Sequence, residues 1–178
     1  MRKSPNLVHV KMRNMQKPRC LGSEFYGYDR ISSATSDGRN AVFPALRSLH
    51  IEEAENLIDR VETRGTLRAF PCLEKLTLLK CKQLRSTPSR FPSLKKLEIR
   101  EVDSGLVSIP FIPEHGGLPS LSNFCISDCD QLSSLPEGLQ YCTSLKHFEI
   151  WSFPKITSIP IPSEGLPSLF RLGVSIPP

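Results

Sequence analysis

Apolar residues recur along this chain in one short phrase. A Leu is followed three residues later by a pair of apolar residues with a single residue between them, as in FPALRSLHI (43–51), FPCLEKLTL (70–78) and FPSLKKLEI (91–99). Such alternation puts one set of side chains on one face of an extended segment and the intervening set on the other. The phrase predicts short strands that carry Val10/Met12, Leu49/Ile51, Leu76/Leu78, Leu97/Ile99, Phe124/Ile126, Phe148/Ile150 and Leu172/Val174 inward. Its leading residues are Leu7, Leu46, Leu73, Leu94, Leu121, Leu145 and Leu169, so it is spoken about seven times.

Each pair is followed by another apolar position: Met15, Ala54, Cys81, Val102, Cys129 and Phe153. A Leu-like position comes after it at Leu57, Leu84, Leu132 and Ile156, displaced by one residue in the fourth unit to Leu106. The last unit breaks the pattern at Pro177. The leading leucines stand 39, 27, 21, 27, 24 and 24 residues apart. A period of roughly 20–29 residues with the phrase Leu-x-x-Leu-x-Ile-x-x-Cys-x-x-Leu is the signature of a leucine-rich repeat. One strand cannot bury its apolar face alone, whereas stacked copies build a parallel sheet over a continuous core. The expected fold is therefore a leucine-rich repeat solenoid of the α/β class, here mostly β and irregular. Its curved parallel sheet lies on the concave side, with turns and short 3₁₀ or helical pieces on the convex side.

The expectation is one domain over residues 1–178, with the long first interval holding a loop at about 20–42, whose CLGSEFYGYDRISSATSDGRN is rich in Gly, Ser, Asp and Asn. The return segments STPSRFPS, SLPEGLQYCTS and TSIPIPSEGLPS leave little room for a helix and predict turns, 3₁₀ pieces and extended chain. EEAENLIDRVETRG at 52–65 has apolar residues near helical spacing and predicts a short helix.

Composition fits short elements joined by turns. Hydrophobic residues make up 39% of the 178, enough for a core, and sixteen prolines exclude long helices and long central strands. MRKSPNLVHV is basic but no apolar run follows, no stretch nears the ~20 apolar residues of a membrane helix, and no Asn-X-Ser/Thr sequon occurs. These features predict a soluble, cytoplasmic protein with reduced cysteines and no membrane partner. The net charge of +5 comes without a Lys/Arg-rich run or a nucleic-acid motif, so no nucleic acid is expected as a ligand.

Candidate chemistry is sparse. Cys81 and Cys129 hold equivalent repeat positions, where a small buried side chain fits under a turn. Cys125 and Cys129 are four apart without a CxxC pair or a His cluster to complete a zinc site, and Cys20, Cys72 and Cys142 fall in loops or turns. Six free thiols and no metal are expected. His9, His50 and His147 fall on outward strand positions of different repeats, His115 elsewhere, and no nucleophile motif accompanies them. No enzymatic activity and no cofactor are expected.

The outward residues are the informative set. The first row reads His9, Ser48, Lys75, Lys96, Asn123, His147, Arg171; the second Lys11, His50, Thr77, Glu98, Cys125, Glu149, Gly173; the third Arg13, Glu52, Leu79, Arg100, Ser127, Trp151, Ser175. Apolar anchors beside charges make a protein-binding face. The predicted contact residues are Lys75, Leu79, Lys96, Arg100, His147, Glu149, Trp151 and Arg171. The plain alternative is that the charges are ordinary solvated positions and that Trp151 covers its neighbours' backbone.

The wording of the repeats is more specific than their period. PSLKKLEIREV, FPCLEKLTLLKCKQL and LPEGLQYCTSLKHFEI resemble the C-terminal leucine-rich repeats of plant nucleotide-binding disease-resistance proteins of the coiled-coil class, and CLGSEFYG is similar to a stretch between two repeats in that group. The likeness runs from about residue 5 to 176. It implies a recognition module of innate immunity that binds a pathogen effector or a host protein and helps hold a nucleotide-binding domain, in the same chain or a separate one, inactive. No GxxxxGK[ST] loop is present and the chain is too short for a nucleotide-binding domain, so the expectation is a fragment or truncated product. Extracellular plant repeats carry Asn where Cys81 and Cys129 stand, and a Leu-x-Gly-x-Ile-Pro turn that does not occur here, which again favours an intracellular receptor. Two further readings are a stand-alone adaptor, such as a substrate receptor of a ubiquitin ligase, and a non-functional truncation product. No F-box-like helical segment precedes the repeats, which weighs against the first; neither SPNLVHVKM nor FRLGVSIPP looks like a polar cap, which speaks for the second.

Overall fold

The computed structural model describes residues 6–16, 43–57, 70–84, 91–102, 118–132, 139–155 and 166–175. The loop expected at 20–42, Cys20, Leu106, His115, Ile156 and Pro177 lie outside these residues, as does 58–65 of the expected helix. The described part of that stretch, 52–57, is a strand end followed by a turn. Among the described residues the only helical piece is a 3₁₀ turn at Leu139–Tyr141, within the SLPEGLQYCTS return.

Seven five-residue strands form one parallel sheet in chain order. They are β1 (His9–Arg13), β2 (Ser48–Glu52), β3 (Lys75–Leu79), β4 (Lys96–Arg100), β5 (Asn123–Ser127), β6 (His147–Trp151) and β7 (Arg171–Ser175). Each pair is in the same register, first residue against first residue and fifth against fifth. The arrangement is a repeating, solenoid-like one in which every rung joins only its neighbours.

Rungs β2 to β7 enter the sheet through a turn, which at β6 is Cys142–Leu145 and lacks proline. In Phe43–Leu46, Phe70–Leu73, Phe91–Leu94, Leu118–Leu121 and Leu166–Leu169 the last N–H donates to the first carbonyl. Proline is the second residue of each, where its fixed φ suits the turn. Neighbouring turns are tied together. Ser93 and Ser120 each donate a hydroxyl to the proline carbonyl of the preceding rung, Pro71 and Pro92, at 2.8 Å. Phe43 stacks on Phe70 with ring centres 6.0 Å apart, and Phe70 lies 5.9 Å from Phe91.

Rungs β1 to β6 leave the sheet by one sharp device. The residues after β1 to β6, Asn14, Glu53, Lys80, Glu101, Asp128 and Ser152, all have φ between 53° and 59°. None is Gly, although that left-handed region costs an L-residue ~1 kcal/mol or more. The cost is met by the ladder, because each of these N–H groups donates to the fifth residue of the next strand, as in Lys80 to Arg100. The reversal drives the following side chain inward, and Ala54, Cys81, Val102, Cys129 and Phe153 are all buried. The two cysteines donate S–H to the carbonyls of Leu79 and Ser127.

The core is the stack of inward strand residues and the leucines that flank them, with Phe124 and Phe148 stacked face to face at 5.2 Å. Full burial of each such side chain stabilises by ~1.5–3 kcal/mol. No helix among the described residues is long and apolar enough to cross a membrane.

Candidate functional site

Alternation within each strand sends its first, third and fifth residues away from the core. The register then sets those residues side by side, so the three outward rows run unbroken across the sheet. His9, Ser48, Lys75, Lys96, Asn123, His147 and Arg171 are successive partners, and Glu52, Leu79, Arg100, Ser127 and Trp151 likewise. At ~4.8 Å per rung the rows extend roughly 30 Å.

All eight expected contact residues lie on this face, but they do not form one cluster. Lys75 and Lys96 are adjacent, while Arg171 stands three rungs on, beyond Asn123 and His147. Leu79 and Trp151 share the third row with Arg100 and Ser127 between them, about 14 Å apart by rung spacing. Leu79 is half-buried, and Trp151 is 41% exposed.

The indole of Trp151 leans over the next rung. A Cβ placed on Gly173 would lie 3.6 Å from its Cζ2 and 3.5 Å from Cγ of Glu149. The missing side chain at Gly173 therefore makes the floor on which the ring rests. The outward face is also shallower than a strand pattern suggests, because Thr77 and Ser127 point outward yet are only 6% exposed.

Every carboxylate of the three rows is paired within the sheet. Glu52 receives Arg13 Nε at 2.6 Å, with Lys11 Nζ at 3.5 Å and His50 Nε2 at 3.6 Å. Glu98 takes Arg100 at 2.8 Å and Lys96 at 3.9 Å, and Glu149 lies 3.6 Å from Arg171. Burial pushes the Glu52 carboxyl up, but the Arg13 bond, the Arg13 and Lys11 charges and His50 together hold it below the ordinary 4.5. Lys75 has no ion pair among the described residues.

Just before the strands, Glu74 bridges Arg47 (2.8 Å) and Lys95 (3.2 Å) across three rungs. The Lys95 bond and the two cationic charges hold its carboxyl below 4.5 against the effect of burial. His147 packs edge-on against Phe170, which is 87% exposed. The strand pattern did not single out Glu74, Glu98, Phe170 or Gly173. The signal for Gly173 was present, since the rows place it one rung on and one row over from the lone Trp.

Cys125 sits in the middle row between Glu98 and Glu149. Burial raises its thiol, the Arg100 charge opposes this, and the two carboxylates add to it. The five described cysteines, Cys72, Cys81, Cys125, Cys129 and Cys142, are free thiols. No three His, Cys, Asp or Glu side chains gather as metal ligands would among the described residues.

The chain is similar to disease resistance proteins of Arabidopsis thaliana. Disease resistance protein RPH8A is 39% identical over 91 residues, 46% of this chain and 10% of that protein. Disease resistance RPP8-like protein 3 matches with the same identity and coverage. Disease resistance protein RPP8 is 48% identical over 40 residues, 22% of this chain and 4% of that protein. The chain thus spans a tenth or less of the length of these relatives. No family model and no solved structure matches it.

Proposed function

We propose that this chain is a leucine-rich repeat recognition module of plant innate immunity, a cytoplasmic protein-binding surface and not an enzyme. Its ligand is a pathogen effector or a host protein. In the setting of a full receptor its repeats also help hold a nucleotide-binding domain inactive. Binding is by surface complementarity, with no bond made or broken, and uses neither cofactor nor metal.

The observation that carries this reading is the unbroken register of the outward rows. It turns residues 21 to 39 positions apart in the chain into one continuous face. That face bears a half-exposed indole seated on Gly173, the aromatic anchor expected of an interface. The likeness to disease resistance proteins supplies the biological setting.

Two measurements test it. An immunoblot of plant tissue with an antibody to CDQLSSLPEGLQYC should show a band several times larger than the 20.0 kDa chain, and a band at 20.0 kDa removes the receptor setting. In quantitative affinity capture from that tissue, Trp151→Ala should weaken affinity for the specific partner about thirtyfold, as loss of ~2 kcal/mol requires. Unchanged recovery with Trp151→Ala removes the anchor.

A further inference from the structure

The two ends of the strands carry opposite charge, and nothing in the outward alternation alone requires this. Where strands begin, the first row and the residues just before it present Arg47, Lys75, Lys95, Lys96, Lys146 and Arg171, all exposed. One acid, Glu74, stands among them, and it is already held by Arg47 and Lys95. Lys75 and Lys146 have no ion pair among the described residues. Where strands end, the left-handed positions carry Glu53, Glu101 and Asp128 against a single Lys80. Between the edges, Arg13 and Arg100 hold Glu52 and Glu98, while Glu149 draws on Arg171 of the cationic edge, so six cations there face two acids, Glu74 and Glu149. The charge left to meet a partner is therefore positive along one edge and negative along the other.

From this we infer that the edge where strands begin docks an acidic, extended peptide segment that runs across the rungs from β2 to β7. The inference rests on the protein-binding reading above and adds to it the partner's chemistry and orientation. Cations recur at most rungs of the edge, at a spacing of ~4.8 Å, within reach of the long side chains of acidic residues at alternate positions of an extended chain, which recur on one face about every 6.6 Å. Charge complementarity of this kind raises association rates and rejects partners of the wrong sign. A peptide fits better than a nucleic acid. The cationic edge is interrupted by the paired carboxylates of Glu74 and Glu149 and by Ser122 and Asn123 at β5, a broken pattern that suits a peptide with spaced acidic residues better than a continuous phosphate backbone. The exposed Phe170, packed edge-on to His147 at the β7 end, gives such a peptide an apolar contact there.

The test is fluorescence anisotropy of the intact chain with a labelled peptide of alternating Glu and Ser, beside a Lys–Ser peptide and a single-stranded oligonucleotide. The expected result is binding of the Glu–Ser peptide that weakens as salt is raised. The triple variant Lys75→Glu, Lys96→Glu, Arg171→Glu should bind it at least about tenfold more weakly, and the Gln versions should fall between. Glu53→Lys with Glu101→Lys, on the opposite edge, should bind it no less well than the parent. Circular dichroism confirms that each variant is folded, and the Gln set decides the matter if the Glu set is not. Unchanged binding by the folded variants of Lys75, Lys96 and Arg171 overturns the inference, as does preference for the Lys–Ser peptide or tighter binding of the oligonucleotide. If the peptide fails while Trp151→Ala still abolishes partner capture, only the acidic-edge assignment falls and the protein-binding reading stands.

Discussion

Rungs β4 and β7 obey one rule and meet different fates. Leu97 and Ile99 of β4 are fully buried, whereas Leu172 and Val174, at the same positions in β7, are 39% and 37% exposed. Register, ladder and entry turn are the same. What differs is that β4 lies between two strands and β7 pairs with β6 alone among the described residues. Alternation fixes which way a side chain points, and neighbouring rungs decide whether it is dry. A rung is worth most in the middle of the stack, as expected of a quasi-one-dimensional array.

The sharpest way to break this comparison is to remove a ring from each kind of place. Phe148→Ala, which empties a stacked position in the middle of the core, should cost ~3–5 kcal/mol in denaturant unfolding. Phe170→Ala, one rung on, should stay within about 0.5 kcal/mol. Equal costs would mean that the last rung is packed as tightly as the others.

Alkali gives the next largest effect. Burial pushes the Cys81 thiol from 9.0 to about 11 and the Cys142 thiol to about 12, so the folded state holds these protons more tightly than the unfolded chain. Their stabilisation is complete below pH 9 and is lost as pH rises through these values. For Cys81 that is about 3 kcal/mol. The denaturation midpoint of Cys81→Ala should fall less steeply between pH 8 and pH 10.5 than that of the parent, and parallel curves would contradict the burial. In the native state at pH 8 a thiol reagent should modify the exposed Cys72 well before Cys81 or Cys142.

Gly173 sharpens the comparison at the weakly packed end. Its Cβ contacts would be ordinary ones, so Gly173→Ala should leave the melting temperature within about 2 °C. Gly173→Val adds a branched isopropyl group beneath the indole and should shift the emission of the single tryptophan to the red. An unmoved spectrum would show that Trp151 does not rest there.

The smallest effect belongs to acid. The net hold on Glu52 keeps its carboxyl low, so its stabilisation is present above 4.5 and is lost as pH falls through the lower folded value. Glu52→Gln should slightly flatten the acid limb of a stability–pH curve, and an unchanged limb would mean that the Arg13 contact contributes nothing.

The strands and their three rows could be read from the sequence because a period of two is a property of the backbone. The burial of Cys81 and Cys129 followed from their place after each strand. The seating of Trp151 on Gly173 and the shelter of Thr77 and Ser127 could not be read along one strand. They depend on side-chain sizes in rungs 21 or more residues away. The cation–carboxylate pairing escaped for the same reason, since Glu98 was read as one member of a row and not as the partner of Lys96 and Arg100.

The uneven lengths of chain between strands have a genetic consequence. Strands β2 to β7 begin 27, 21, 27, 24 and 24 residues apart, yet their first residues are partners throughout. Every junction offers the same chemistry to whatever comes next. A coding segment of one rung, copied or excised between β2 and β6, would be spliced without a shift of phase, and the face would lengthen or shorten by one step of ~4.8 Å. Extra residues in a return segment would be absorbed off the sheet. Recombination can thus resize the surface and rewrite its outward letters while each new version inherits a ready-made frame.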